Sequence, residues 1–217
     1  MTTTARRSAW AKRFHGQPRE VVAEDQRRRI LAALPRAMAQ HGYRGLTVRR
    51  LIEPAAVSRR TFYDLYRGLT EVFVVAHGEI LTVLCARVDA ACATQSDWPE
   101  KVRAGISAAL ELAAKEPLRV RLLVAEPFTA GPRPAYCQDL LVERFAPGLR
   151  QGRRQSSHTQ FPMLEEALIG GLVGILAGHL RSNRIASLPG LAPQLVEVTL
   201  TPYIGATNAK RIAGAPE

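Results

Sequence analysis

Ser58-Arg59-Arg60-Thr61, followed by Tyr63, places two guanidinium groups, two small hydroxyls and a phenol within one short stretch. Guanidinium forks match guanine edges and phosphate oxygens, and small hydroxyls bond to either. The chemistry they suit is hydrogen bonding to a nucleic acid. Val57, Phe62 and Leu65 alternate with them at helical spacing and supply an apolar side. Thr47 and Arg49, just upstream, suit phosphate contact through side chains and the free N–H groups of a helix start. Tyr63 either reaches a phosphate with its hydroxyl or packs as core. Arg6, Arg7, Lys12 and Arg13 lie in a basic N-terminal segment.

Other chemistries find no such grouping. The five histidines (His15, His41, His77, His158, His179) form no H-E-x-x-H pair, and no G-x-S-x-G turn or glycine-rich phosphate loop occurs. Cys85, Cys92 and Cys137 match no C-x-x-C spacing. The expectation is a non-enzyme with no metal and no cofactor. Its thiols should be reduced and inert, as in a cytoplasmic protein. The basic start is followed by no apolar stretch, so no secretory signal is expected. No run of about eighteen apolar residues occurs, so no membrane span is expected either.

The positive charge is segregated. Of 30 Lys and Arg and 19 Asp and Glu in 217 residues, residues 1–69 hold fifteen bases and five acids, while the remainder holds fifteen and fourteen. A basic module joined to a near-neutral one points to a polyanion for the first and something else for the second. A solvated basic face would give the same count.

The elements that must position these groups are helical. Residues 1–20, with Gly16 and Pro18, lack periodicity and read as a basic arm. From Glu24, Ile30, Leu31, Leu34, Ala37 and Met38 recur at helical spacing up to Gly42, with Pro35 expected to kink the run. Thr47 is placed to cap a short helix ending at Pro54, and Ser58 to cap a second through Tyr66. Two short helices joined by a tight turn form a helix-turn-helix. Beyond it, helices are expected over 70–95, 98–115, 117–126, 134–152, 160–184 and 190–210, with no strand and no internal repeat. The fold class is all-α. An N-terminal three-helix helix-turn-helix domain (21–69) follows the arm and precedes a C-terminal helical domain (70–217).

Residues 28–73 resemble the DNA-binding domain of TetR/AcrR-type transcriptional regulators. The likeness rests on Gly42-Tyr43, Leu46-Thr47-Val48-Arg49-Arg50-Leu51 and Val57-Ser58-Arg59-Arg60-Thr61-Phe62-Tyr63-Asp64-Leu65-Tyr66. It implies a repressor that binds a near-palindromic operator and whose C-terminal helices form a homodimer and enclose a small-molecule pocket. Three positions depart from the pattern. Ala55-Ala56 replaces the Ala-Gly usual in the turn, Leu69 stands where a phosphate-binding Lys often opens the next helix, and Pro35 interrupts the first helix. The other reading of the basic module is a sequence-tolerant DNA-coating protein with no effector.

In the C-terminal part, Gly170, Gly174 and Gly178 share a helix face, with Gly171 beside them. Each interior glycine costs roughly 1 kcal/mol relative to Ala, so several together imply close approach of another helix. With Ile175 and Val198 they form an expected dimer face; packing within the chain is the alternative. Candidate pocket residues are Phe73, Leu84, Leu110, Leu123, Phe128, Tyr136 and Phe161, all equally suited to plain core. Few charges interrupt these stripes, so an uncharged, apolar effector is expected.

Overall fold

The computed structural model describes residues 18–125, 134–155 and 161–214. The arm residues Arg6, Arg7, Lys12 and Arg13 and the pocket candidate Phe128 therefore lie outside the described residues, as does the side chain of Tyr136. Among the described residues there are helices and no strand: α1 (Arg19–Gly45), α2 (Val48–Ala55), α3 (Arg59–Leu65), α4 (Leu69–Ala93), α5 (Trp98–Lys115), α6 (Pro117–Val124), α7 (Pro134–Arg150), α8 (Leu164–Arg181), α9 (Ala192–Ile204) and α10 (Ala206–Ala213). Two compact units, Met1–Glu79 and Ile80–Glu217, divide inside α4.

The first unit is built on Ile30, Leu34 and Met38 of α1, Leu51 of α2 and Phe62 of α3, each essentially inaccessible to solvent. Pro35 does not bend α1 out of helical geometry; the non-helical residue is Gly42, at φ 62° and ψ 170°. A proline's φ is itself helical, so Pro35 can keep helical dihedrals inside the buried stripe at the cost of one hydrogen bond. Pro54 likewise does not end α2, which continues to Ala55.

The turn after α2 is set by Ala56, in the left-handed region at φ 53° and ψ 40°. Its N–H bonds back to Glu53 and Ile52, and the Val57 N–H reaches the Ile52 carbonyl at 3.1 Å. Arg29, ion-paired with Asp25 at 3.2 Å, donates to the Ala56 carbonyl at 3.5 Å and ties the turn to α1. A residue with a Cβ is strained there by about 1–2 kcal/mol.

By length and composition α4 could cross a bilayer, with a mean hydropathy of 1.6 in its most apolar stretch. His77 and Glu79 interrupt its apolar run in sequence, which is why no continuous run was visible. Its apolarity has a use in the fold: Val72, Phe73 and Ala76 are buried in the first unit, and Ile80 and Leu84 in the second.

In the second unit Trp98 opens α5 and packs with Val196, Leu200 and Tyr203 of α9 and Ala209 and Ala213 of α10. Its indole N–H donates to the Gly148 carbonyl at 2.8 Å, and its ring meets Tyr203 edge-on at 5.1 Å. The ring lies so close to Gly152 that an added Cβ would come within 2.3 Å of it. The expected helix over 190–210 is broken at Gly205, φ 78°, which lets α10 fold back on α9. Glu165, fully buried at the start of α8, accepts from Arg153 Nε and Nη2 at 2.7 and 2.6 Å and from the Tyr203 hydroxyl at 3.0 Å. Arg153's hydrogen bonds hold the Glu165 carboxyl below its ordinary value against the opposing effect of burial.

Two stability outcomes follow from these contacts. Ala56→Gly relieves the left-handed strain, partly offset by the entropy of a freer unfolded chain. It should raise stability by about 0.5–1 kcal/mol, read as a higher urea midpoint at unchanged slope; a lower midpoint would contradict the turn geometry. Because folding depresses the Glu165 pKa, its stabilising contribution is complete above the unfolded carboxyl range, near about 4.3, and disappears as pH falls through the lower folded value. Glu165→Gln should therefore lower the thermal midpoint at neutral pH and flatten its dependence on pH below that range.

Candidate functional site

Both short helices of the first unit are capped by the residues singled out in the sequence. Thr47 Oγ1 accepts from the Arg50 N–H at 3.3 Å, and Ser58 Oγ accepts from the Thr61 N–H at 3.0 Å. Each satisfies an orphan donor of the first turn and fixes where its helix begins. Ser58 and Thr61 hydroxyls also bond to each other at 2.8 Å, so both help to build the start of α3. Arg50 turns back to bond the Gly45 carbonyl. Sequence spacing gave no sign of that role.

The inward side of α3 is fixed by Phe62, whose ring meets Tyr63 edge-on at 5.3 Å and Tyr66 at 6.0 Å. Tyr66 is buried, and burial pushes its hydroxyl up to about 12. The outward side carries Arg59, Arg60 and Tyr63, all exposed, with Tyr63 at 50%. The Arg59 guanidinium lies 5.8 Å from the centre of the Tyr63 ring, a cation–π arrangement that draws the two together. Thr47 and Arg49 are exposed at the start of α2. Sequence spacing alone left Tyr63 between surface and core; half of it faces water.

The entry to α4 is ordered from both sides. Glu71 accepts from the Arg67 N–H at 2.6 Å, and the Tyr43 hydroxyl pairs with Thr70 at 3.1 Å. Phe73 stacks edge-on against Tyr43 at 5.9 Å and lies 6.1 Å from His77. It is therefore core of the first unit and not part of a pocket among the later helices.

The second unit encloses a cavity of about 460 Å³ between α4, α5, α6, α7, α8 and α9. Leu84 and Leu110 line it. Leu123 is fully buried but faces the core, and its neighbour Val124 lines the cavity instead. Phe161 is 70% exposed and contributes nothing to the walls. The cavity also takes in residues the sequence did not single out: Trp98, Cys92, and the charged Asp89, Lys101 and Arg144. Arg144 donates to Asp89 across 55 positions of sequence, a pairing with no local signature.

On α8, Gly171 and Gly174 are exposed, Gly170 and Gly178 half-buried, and a Cβ added at 171, 174 or 178 would meet nothing within 4 Å. Ile175 is 42% and Val198 61% exposed. Contacts among the described residues therefore give no reason for glycine at those three positions.

Residues 30–74 match the family of bacterial regulatory proteins, tetR family. No curated protein matches the chain. Solved structures share its fold: a fatty acid degradation regulator, FadR, from Bacillus halodurans (15% identity, TM-score 0.68, covering 81% of this chain and 94% of that one). A second is RolR in complex with resorcinol (14%, TM-score 0.62, 91% and 97%). A third is a tetR-family regulatory protein from Rhodococcus RHA1 (17%, TM-score 0.61, 82% and 96%). The capped helix-turn-helix that presents arginines outward thus lies in the segment that matches the tetR family of bacterial regulatory proteins, and the chain as a whole shares its helical fold with these solved structures.

Proposed function

We propose that this protein is a TetR-family transcriptional regulator: a cytoplasmic, ligand-responsive repressor, without enzymatic activity, that binds a near-palindromic operator as a homodimer. The observation that carries the DNA reading is the two-sided α3: Phe62 locked inward, with Arg59, Arg60 and Tyr63 presented outward. In this reading α3 enters the major groove and Thr47 and Arg49 hold phosphate. Ser58 and Thr61 shape the start of α3 and touch the DNA there. The basic segment 1–20 serves as an arm and compensates for Leu69 at the start of α4, with Arg6, Arg7, Lys12 and Arg13 reaching the minor groove. Residues 21–69 form the DNA-binding domain, and 70–217 the effector-binding and dimerisation domain.

The cavity supports the effector reading, and resorcinol bound to RolR gives a precedent for a small molecule on this fold. Control is by linkage: the effector binds best to the dimer state that fits DNA least. The open glycine face of α8, with Ile175 and the exposed Val198 of α9, supports a two-fold helix contact with a second copy.

Purified protein should select a palindromic site from genomic fragments, held about 10³-fold or more above random DNA. The Arg59→Ala/Arg60→Ala/Tyr63→Ala variant should lose that selection while keeping its fold. Equal, sequence-blind recovery by both proteins, with a steep salt slope, would identify a coating protein instead. Removing residues 1–20 should weaken operator binding about tenfold or more at moderate salt; unchanged affinity would exclude the arm. Ile175→Arg/Val198→Glu alters side chains exposed in the single chain, so folding should persist. Its sedimentation mass should fall to the monomer's, and a mass equal to wild type would place the dimer face elsewhere.

A further inference from the structure

The cavity of the second unit has two chemically different ends. Most of its wall is aliphatic, with Val88, Ile106, Leu141, Ile169 and Leu172 among the lining residues. Its charged lining comprises two bases, Lys101 and Arg144, and one acid, Asp89. They come from α5, α7 and α4, so three elements converge on this end. The Cys92 thiol lies with them, donating to the Lys101 carbonyl at 3.3 Å.

We propose that the cavity takes a small apolar anion, its aliphatic body against the branched side chains and its carboxylate between Arg144 and Lys101. This rests on the reading of the second unit as an effector domain, and it departs from the uncharged ligand that the sequence suggested. A guanidinium has five donors; the Asp89 carboxylate occupies at most two of those on Arg144 and the Cys85 sulfur a third, leaving the others to face a ligand. Among the described residues Lys101 has no carboxylate at ion-pair distance. Burial raises the pKa of both Cys85 and Cys92, so neither thiol adds negative charge at this end. The side chains of Arg144 and Asp89 are 40% and 60% exposed, which sets the anionic head at the mouth, beside water, and the body inside. A cavity of about 460 Å³, at a liquid volume of about 30 Å³ per heavy atom, admits roughly fifteen such atoms. A medium-chain carboxylate meets both requirements.

The test uses the full chain without DNA, so its outcome is independent of operator binding. Decanoate and 1-decanol, both kept below the concentrations at which they aggregate, are titrated by calorimetry and by fluorescence of Trp98, which lines the cavity. Decanoate should bind about tenfold or more tightly than 1-decanol. Lys101→Gln and Arg144→Gln should each weaken decanoate about tenfold and leave 1-decanol unchanged. Asp89→Asn should tighten decanoate severalfold, because Arg144 loses its internal competitor; this gain cannot arise from a damaged fold. Equal binding of acid and alcohol, or a loss with Asp89→Asn, overturns the anionic head. Binding of neither overturns the proposal altogether. Decanoate binding of this pattern in a protein that selects no DNA site would sustain the proposal and defeat the repressor reading.

Discussion

The direction of α3 depends on the backbone of Ala56. A left-handed residue between two short helices turns the chain sharply, and the start of α3 inherits that geometry. The strain is held because several contacts determine the same conformation. The Ala56 and Val57 N–H groups bond back to α2, Arg29 reaches across from α1 to the Ala56 carbonyl, and Phe62 is sealed beneath α3. Without a fixed turn the arginines of α3 would still be exposed, but they would not point in a shared direction. Direct reading of base edges needs that shared direction, because a bidentate contact tolerates little angular error.

The second unit rests on a different kind of constraint, an indole wedged among backbone. Trp98 bonds the Gly148 carbonyl, lies on Gly152 where no Cβ fits, and faces Tyr203. Tyr203 in turn donates to Glu165, which Arg153 holds from the segment after α7. The buried carboxylate is thus fully engaged by charge-assisted partners, the condition under which a buried ion is tolerable. These contacts frame the cavity on one side, and the Asp89–Arg144 pair bounds its mouth.

The two units share α4, whose first part is core to one and whose later part lines the cavity of the other. The charge pattern follows the same division, with a basic DNA-binding module and a near-neutral partner.

Much of the DNA-binding unit was legible because its signals are local. Thr47 and Ser58 as caps, the Val57/Phe62/Leu65 side of α3 and the helix break at Gly42 all depend on neighbours a few residues away. Hydrophobic period and capping chemistry fix such features whatever the rest of the chain does. The fate of Pro35 was not local: it sits buried inside α1, where the surrounding packing outweighs one lost hydrogen bond, whereas the exposed Pro54 lies one residue from the end of α2. The cavity was the least legible. Phe73 and Phe161 have the right side chain for a pocket and the wrong place in the fold, whereas Asp89, Lys101 and Arg144 join it from three separate helices. The sequence by itself determined the helices, their caps and the segregation of charge, since these rest on short-range chemistry. Tertiary structure alone decided which of the many apolar residues surround a cavity and which charges meet there, because that depends on helices far apart in the chain packing side by side.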